Sequence, residues 1–229
     1  MKIGIVVFPG SNCDMDLFNA LSLIDDVSAI KLWHNESGLQ GCEFIMLPGG
    51  FSYGDYLRAG ALSKHSKIMQ EIIKFAGKGG PVLGICNGFQ ILCEAKLLPG
   101  SLITNKNGKF ICDKSPVKLV SNKRPFNNID KNKVFELCIA HAEGNYYADE
   151  DTIKLLEDND EIIFKYCNHE GEIDASANPN GSINNISGIC NKMRNVIALM
   201  PHPERAMDKN IHGSCDGKEL LETIIKGFK

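Results

Sequence analysis

Four short apolar runs, separated by segments with helical spacing, most strongly constrain the fold of this chain. The runs cover residues 3–8, 44–47, 81–85 and 196–200. They are almost continuously apolar, as expected for strands that are covered on both faces. The intervening apolar spacings predict helices over residues 14–24, 68–77 and 89–95, and a closing helix over 218–228. Strands that alternate with helices indicate an α/β fold with a mostly parallel central sheet and helices on both faces.

The remaining segments complete this picture. Residues 27–33 predict a further strand, and 117–120 with 134–139 predict an antiparallel extension of the same sheet. Residues 168–185 are polar and turn-rich, which is typical of a loop or hairpin. Because no linker, repeat or low-complexity tract interrupts the chain, we expect a single domain over residues 1–229.

Composition excludes several classes of protein. The 229 residues include 25 Lys and Arg and 28 Asp and Glu, which gives a net charge of −3. No positively charged surface for binding nucleic acid is therefore expected. The apolar run at residues 3–8 is too short for a membrane span, and no secretory cleavage signal follows it. Nine cysteines without Cys-x-x-Cys spacing indicate a reduced, cytoplasmic chain.

Cys86 stands in the pattern of a nucleophile elbow. Residues 84–88 read Gly-Ile-Cys-Asn-Gly between a predicted strand and helix, the G-x-S-x-G form with cysteine for serine. The two glycines allow close approach of strand and helix, and the helix N-terminus favours a thiolate. The alternative is a buried core cysteine, which we expect for Cys93. We expect Cys86 alone to combine exposure with a helix N-terminus.

His202 is the strongest of six candidates for the acid–base partner that a thiolate nucleophile needs. It directly follows the last apolar run, and Pro203 favours an extended backbone at His202. In an extended segment, residues i and i+2 share a face, so Glu204 would hold the imidazole. The alternatives are a surface turn and a zinc site, but the Pro-Cys-x-x-Cys segment that a zinc deaminase requires is missing.

Acyl transfer also requires hydrogen-bond donors for the developing oxyanion. The N–H of Asn87 follows the nucleophile directly, and the Gly49-Gly50 pair at a strand end offers a second donor or is a simple turn. The spacing of these glycines does not fit a dinucleotide-binding loop. Asp14 and Asp16 fit a helix N-terminus better than a metal site, so no metal is expected.

These motifs together resemble the class I, or triad, glutamine amidotransferases. The shared elements are the Gly-Gly strand end, a G-x-C-x-G-x-Q elbow that Gln90 completes, and the late His-Pro-Glu. Further segments resemble, within that class, the glutaminase subunits of phosphoribosylformylglycinamidine synthases. The most specific block is residues 51–60, and the others are 8–14, 140–145, 178–182, 202–205 and 213–217. One departure is Ala142, where that family usually has glycine.

The resemblance implies a flavodoxin-like α/β sandwich with a catalytic triad. In it, Cys86 is the nucleophile, His202 the acid–base group and Glu204 its orienting partner. The implied reaction is hydrolysis of L-glutamine to glutamate and ammonia through a glutamyl thioester.

The resemblance also implies how the substrate and the partners are bound. Gly50 and Asn87 would supply the oxyanion-hole N–H groups, and Gln90 would contact glutamine. The ammonia would pass to a large ATP-dependent synthetase subunit that converts formylglycinamide ribonucleotide to the amidine in purine synthesis. A small bridging subunit is implied as well. Because no segment resembles an ATP site, ATP and Mg²⁺ are expected in the partner and no cofactor in this chain.

Three alternatives remain at this point. The chain could serve another synthase, for GMP, anthranilate or imidazole glycerol phosphate, although the block at residues 51–60 argues against these. A cysteine peptidase or stress protein on a similar sandwich would share the elbow cysteine but not the late His-Pro-Glu. A catalytically silent regulatory subunit would not need an intact triad.

Overall fold

The apolar runs form neighbouring strands of a nine-stranded sheet. The computed structural model describes residues 1–229. Its strands are β1 (Lys2–Val7), β2 (Ser28–Trp33), β3 (Phe44–Leu47), β4 (Val82–Ile85), β5 (Ser101–Ile103), β6 (Ile111–Leu119), β7 (Val134–His141), β8 (Asn145–Tyr147), β9 (Ile162–Tyr166), β10 (Ile186–Cys190) and β11 (Val196–Leu199). Its helices are α1 (Asp14–Ser22), α2 (Lys67–Gly77), α3 (Asn87–Glu94), α4 (Glu150–Asp158), α5 (Lys209–His212) and α6 (Asp216–Lys226).

The large sheet has a parallel half and an antiparallel half. Its strand order is β2-β1-β3-β4-β11-β10-β9-β6-β7. The strands from β2 to β11 in this order pair in parallel. From β11 onward every pairing is antiparallel. A separate two-stranded sheet pairs β5 with β8. The expected mostly parallel sheet with an antiparallel extension is therefore confirmed.

The core is built on the parallel half of the sheet. All residues of β3, β4 and β11 are buried, which explains why these strands read as continuous apolar runs. The helices bury apolar stripes in the same core, as α6 does with Leu220, Leu221, Ile224 and Ile225. No helix combines the length and the apolar character that crossing a bilayer would require.

Most differences from the sequence-based expectations lie in the second half of the chain. The strands β5, β8, β9 and β10 and the helix α4 were not expected. Helix α4 buries only Ile153 and Leu156, so it has few apolar residues, although Asp149 caps it by accepting a hydrogen bond from the N–H of Thr152. Strand β10 contains Gly188, where its pairing with β9 shifts register. Residues 168–185 hold no strand, as expected of a loop.

Candidate active site

Three adjacent parallel strands bring the expected site residues to one edge of the sheet. Strand β3 leads into Gly49 and Gly50, β4 leads into Cys86, and β11 leads to His202. The N–H of Cys86 donates to the carbonyl of Leu199 at 2.9 Å, which fixes the elbow against β11. The carboxyl ends of parallel strands are where α/β sheets bind ligands. Gly50, Cys86 and His202 are thus far apart in the sequence, but the order of the strands places them close together.

The elbow at Cys86 has the strained geometry that its glycine pattern predicts. Cys86 has φ of 50° and ψ of −105°, a left-handed φ that a non-glycine residue rarely adopts. A Cβ on Gly84 would lie 2.8 Å from backbone atoms of Gly88, and a Cβ on Gly88 would lie 2.1 Å from the carbonyl oxygen of Leu47. Glycine at both positions leaves no side chain between β4 and α3. The strand and the helix can therefore approach closely enough to form this turn.

Cys86 is enclosed rather than exposed, so the expectation of an exposed thiol is wrong. Its relative exposure is only 5%. The cysteines that are exposed are Cys112 and Cys215. The end of β7 covers the elbow, and the Sγ of Cys86 lies 3.7 Å from the carbonyl oxygen of Ala140. A substrate therefore reaches the sulfur through a lined cavity and not from open solvent.

His202 and Glu204 form a buried pair beside the elbow. The Nδ1 of His202 and the Oε1 of Glu204 are 2.6 Å apart, and both side chains are almost completely buried. The N–H of His202 donates to the carbonyl of Cys138 on β7 at 2.8 Å, which anchors the backbone. His202 is extended as expected, but residues 203–205 form a 3₁₀ turn. Glu204 thus reaches the imidazole from a turn rather than along an extended segment.

The electrostatics of this pair favour a protonated imidazole. Burial alone lowers the pKa of His202, but the Glu204 carboxylate and negative charge on Cys86 outweigh it and raise the pKa to about 10. The Nε2 of His202 is buried and has no hydrogen-bond partner. With Glu204 holding Nδ1, the other ring nitrogen is left free to exchange a proton with a group beside the sulfur.

The two expected oxyanion donors are free of other bonds. Asn87 is the first residue of α3, so its N–H has no acceptor within the helix. The N–H of Gly50 donates no hydrogen bond within the chain. Gly50 and Cys86 line the same small cavity. This arrangement leaves two backbone donors available near the sulfur.

Gln90 lies in the same cavity, but its amide is already engaged. Its Nε2 donates to the carbonyl of Glu143 at 2.7 Å, and its Oε1 accepts from the Nδ2 of Asn87 at 2.8 Å. Gln90 therefore connects the elbow to the segment that follows β7. The cavity is lined by Gly50, Phe51, Asp55, Cys86, Gln90, Ala140, His141, Ala142 and Glu143.

Two further lining residues were not placed in the substrate cavity by the sequence-based analysis. Asp55 accepts a hydrogen bond from the Nδ2 of Asn87 at 3.3 Å. Burial, and then the charge of Glu143, raise the pKa of Asp55 to about 6. Burial, together with the charge of His202, lowers the pKa of His141 to about 4 and keeps it neutral. Both residues stand in segments that resemble the family, but only the packed structure shows that they line the cavity.

The structure offers no obvious metal centre. No group of three or more His, Cys, Asp or Glu side chains is arranged to hold a metal ion. Asp14 pairs instead with Lys31 at 2.6 Å, and Asp16 lies 3.4 Å from the guanidinium of Arg205.

Comparisons with known proteins agree with this geometry. Residues 1–226 match the family model of the CobB/CobQ-like glutamine amidotransferase domain. The chain is 52% identical to the phosphoribosylformylglycinamidine synthase subunit PurQ of Chlorobaculum parvum, over 98% of this chain and 89% of that protein. It is 50% identical to the subunit of the same name from Moorella thermoacetica, over 98% and 95%.

A solved structure is similar over the whole chain as well. It is described as the structure of PurLQS from Thermotoga maritima, and the matched chain is 39% identical with a TM-score of 0.86. The match covers 100% of this chain and 99% of that one. The chain therefore belongs to the glutamine amidotransferases, in the family of the phosphoribosylformylglycinamidine synthase subunit PurQ.

Proposed function

We propose that this chain is a glutaminase that hydrolyses L-glutamine with Cys86, His202 and Glu204 as its triad. The observation that carries the proposal is the 2.6 Å contact between His202 Nδ1 and Glu204 Oε1, which leaves Nε2 unpaired beside a cysteine in a strained elbow. A nucleophile, a base and a group that orients the base form the minimal set for covalent acyl transfer.

The first half-reaction forms a glutamyl thioester. The thiolate of Cys86 attacks the side-chain carbonyl carbon of glutamine, and the carbonyl electron pair moves onto oxygen. The N–H groups of Gly50 and Asn87 bind this oxyanion. The intermediate collapses as the Nε2–H of His202 protonates the nitrogen, the C–N bond breaks and ammonia leaves.

The second half-reaction returns the enzyme to its starting state. His202, now neutral at Nε2, takes a proton from water while the water oxygen attacks the thioester carbon. The second tetrahedral intermediate expels the thiolate of Cys86, and glutamate is released. Glu204 holds Nδ1 of His202 throughout and stabilises the imidazolium each time it forms.

The cavity walls fit the amino-acid end of the substrate. The backbone N–H groups of Ala142 and Glu143 donate no hydrogen bond within the chain, so they are available to the α-carboxylate. Gln90 holds the carbonyl of Glu143 and lines the same space, so it positions this wall and contacts the substrate. The methyl group of Ala142 is exposed at the rim and leaves the triad unobstructed.

The ammonia serves a phosphoribosylformylglycinamidine synthase. The relatives at 50–52% identity carry that name, and the Thermotoga maritima structure describes an assembly named PurLQS. Its composition supports a large synthetase subunit and a small third subunit as partners of this chain. ATP and Mg²⁺ then act in the synthetase, and the chain works where purine synthesis takes place, in the cytoplasm.

The decisive experiment is Cys86→Ser in the complex with both partners. We expect glutamine-dependent turnover to fall by at least roughly a thousandfold, since a hydroxyl lacks the nucleophilicity of a thiolate. Turnover with ammonium chloride in place of glutamine should be unchanged, because the synthetase step does not use Cys86. Both rates are read from ATP-dependent product formation.

Cys215→Ser is the matched control. It makes the same chemical change at an exposed cysteine outside the cavity. Both glutamine-dependent and ammonia-dependent rates should stay at the wild-type level. Substantial glutamine turnover in Cys86→Ser would contradict the assignment of the nucleophile.

A further inference from the structure

Asp55 presents an unused carboxylate oxygen at the wall of the substrate cavity. It lines the cavity together with Cys86 and Gln90. One oxygen, Oδ1, accepts from the Nδ2 of Asn87 at 3.3 Å, and the second accepts no hydrogen bond within the chain. The side chain of Asn87 is itself held by the N–H of Ser52, which donates to Oδ1 of Asn87 at 3.2 Å. The carboxylate is therefore fixed in place with one acceptor free.

The charged side chains in the lining of this cavity are negative. Asp55 and Glu143 line it, and no lysine or arginine does. The one histidine in the lining, His141, is neutral because burial lowers its pKa to about 4. Burial and the charge of Glu143 raise the pKa of Asp55 to about 6. At neutral pH the ionised form of Asp55 is therefore less favourable in the folded protein than in water. A half-buried carboxylate with a free oxygen on the wall of a cavity points to a cationic group of a ligand.

We propose that Asp55 binds the α-ammonium group of L-glutamine and thereby selects an amino acid over other primary amides. The inference rests on the proposed function, which places the amide of glutamine at Cys86. The ammonium is the single cationic group of that substrate. With the α-carboxylate at the N–H groups of Ala142 and Glu143, Asp55 supplies the opposite charge that the other end of the zwitterion requires.

The test compares L-glutamine with glutaramate, which is glutamine without its α-amino group. Ammonia release is measured for both amides with wild type and Asp55→Asn, each in the complex with its partners. Asparagine keeps the size of the side chain and can still accept from Asn87, but it carries no charge. We expect kcat/KM for glutamine to fall roughly 10- to 100-fold, mainly through KM, as for a lost charge-assisted hydrogen bond. The value for glutaramate should stay unchanged.

Asp151→Asn is the matched control, because it makes the same change at an exposed carboxylate on α4 that lines no part of the cavity. It should leave the preference for glutamine intact. If Asp55→Asn lowers kcat/KM for both substrates by the same factor, Asp55 acts only by supporting Asn87 at the elbow. This result would overturn the proposal. An unchanged preference for glutamine would overturn it as well.

The stability of Asp55→Asn separates binding from a structural role. Because the folded protein raises the pKa of Asp55 above its ordinary 3.8, the charged form destabilises the fold above pH 6, and this cost disappears below pH 4. Asp55→Asn should therefore be more stable than wild type at pH 7 and equally stable near pH 4. A variant that is less stable at pH 7 would assign Asp55 to the scaffold and contradict the proposal.

Binding measured without turnover distinguishes this proposal from the triad. In a Cys86→Ser background, calorimetry gives the Kd of L-glutamine directly. Adding Asp55→Asn should weaken glutamine binding roughly tenfold or more and leave glutaramate binding unchanged. This result supports the role of Asp55 whichever residue performs the chemistry, and equal weakening for both ligands overturns it.

Discussion

Gly49 shows how closely the backbone of the site fits its side chains. A Cβ at this position would lie 2.5 Å from Cε1 of His202, much closer than van der Waals contact. The same Cβ would lie 3.3 Å from the Sγ of Cys13. The imidazole is thus held between Glu204 on one side and the Gly49 backbone on another, which limits its movement.

Gly49→Ala should slow catalysis and leave substrate binding almost unchanged. The added methyl group would displace the imidazole, and a misplacement of about 1 Å can cost roughly 100-fold in rate. We expect kcat for glutamine to fall by about this factor with little change in KM, because Gly49 does not line the cavity of Cys86 and Gln90. Steady-state kinetics and a thermal melt measure both effects.

Gly38→Ala is the control for this change, since a Cβ there has no neighbour within 4 Å. It should have wild-type kinetics. If Gly49→Ala keeps its kcat, the contact with the imidazole does not constrain the base.

The sequence sufficed to propose the triad and the residues Gly50, Asn87 and Gln90 beside it, but not to place Asp55 and His141 in the same cavity. Cys86, His202 and Glu204 stand in local patterns whose spacing reflects backbone geometry. The place of Asp55 and His141 in the cavity depends on contacts between distant segments, so no local pattern predicts it. The burial of Cys86 was missed for the same reason, because the cover comes from β7.

At the scale of elements, the segment of residues 51–60 is the most unusual part of the structure. Tyr53, Asp55 and Leu57 all have positive φ, between 54° and 72°. Tyr56 and Leu57 are 74% and 89% exposed, although both are large and apolar. Strained backbone and exposed apolar side chains together favour a segment that rearranges against a partner.

Arg58 connects this segment to helix α3, which follows the proposed nucleophile. Its Nε and one terminal nitrogen donate to the two carboxylate oxygens of Glu94, at 2.6 and 2.8 Å. Glu94 is the last residue of α3, whose first turn follows Cys86. We therefore expect Arg58→Ala to reduce partner-stimulated glutamine turnover roughly three- to tenfold and basal turnover much less. Glutaminase rates with and without saturating partner measure both.

Lys64→Ala is the matched control, because Lys64 pairs with the same Glu94 at 3.6 Å but lies outside the segment. It should leave the stimulation by the partner intact. Should Arg58→Ala lower both rates by the same factor, the segment has no role in sensing the partner.

Several of the elements that were predicted from the sequence have uniform or periodic burial. Strands β3, β4 and β11 are buried on both faces, and α2 and α6 carry wide apolar stripes. Burial alone does not explain the missed elements, because β9 and β10 are almost completely buried as well. Strand β6 begins with mostly exposed residues, so only its buried end at residues 117–119 gave a strand pattern.

At the scale of the whole molecule, the distribution of nine cysteines allows a test of access to the site. Cys112 and Cys215 are exposed, while Cys86 is reached only through the cavity. A small general alkylating agent should therefore modify Cys112 and Cys215 first. An electrophile with the α-ammonium and carboxylate of glutamine should modify Cys86 first, because the cavity binds it.

Mass spectrometry of partially labelled protein gives the order of modification for both reagents. Excess L-glutamine should protect Cys86 and leave the exposed cysteines unaffected. If the glutamine-like reagent modifies Cys112 or Cys215 before Cys86, the cavity is not the glutamine site.

The antiparallel half of the sheet completes the site that the parallel half begins. Strand β7 supplies Cys138, which holds the backbone of His202, and Ala140, which covers Cys86. The extension that the sequence indicated as an edge of the fold is thus a wall of the cavity. Both contacts require β7 to be correctly paired with β6. Substitutions that disturb this pairing should therefore lower turnover as well as stability.

The adjacency of β4 and β11 also has a consequence for the biosynthesis of the protein. Cys86 and His202 come from opposite halves of the sequence, and β11 fills the place beside β4 only near the end of translation. At roughly 5–20 residues per second, a nascent chain carries the thiol for on the order of ten seconds before its base is made. Under the proposed mechanism, unfinished copies, and copies that a protease has shortened before β11, therefore cannot hydrolyse glutamine. The order of the strands in the sheet serves as a check that only a complete chain consumes this metabolite.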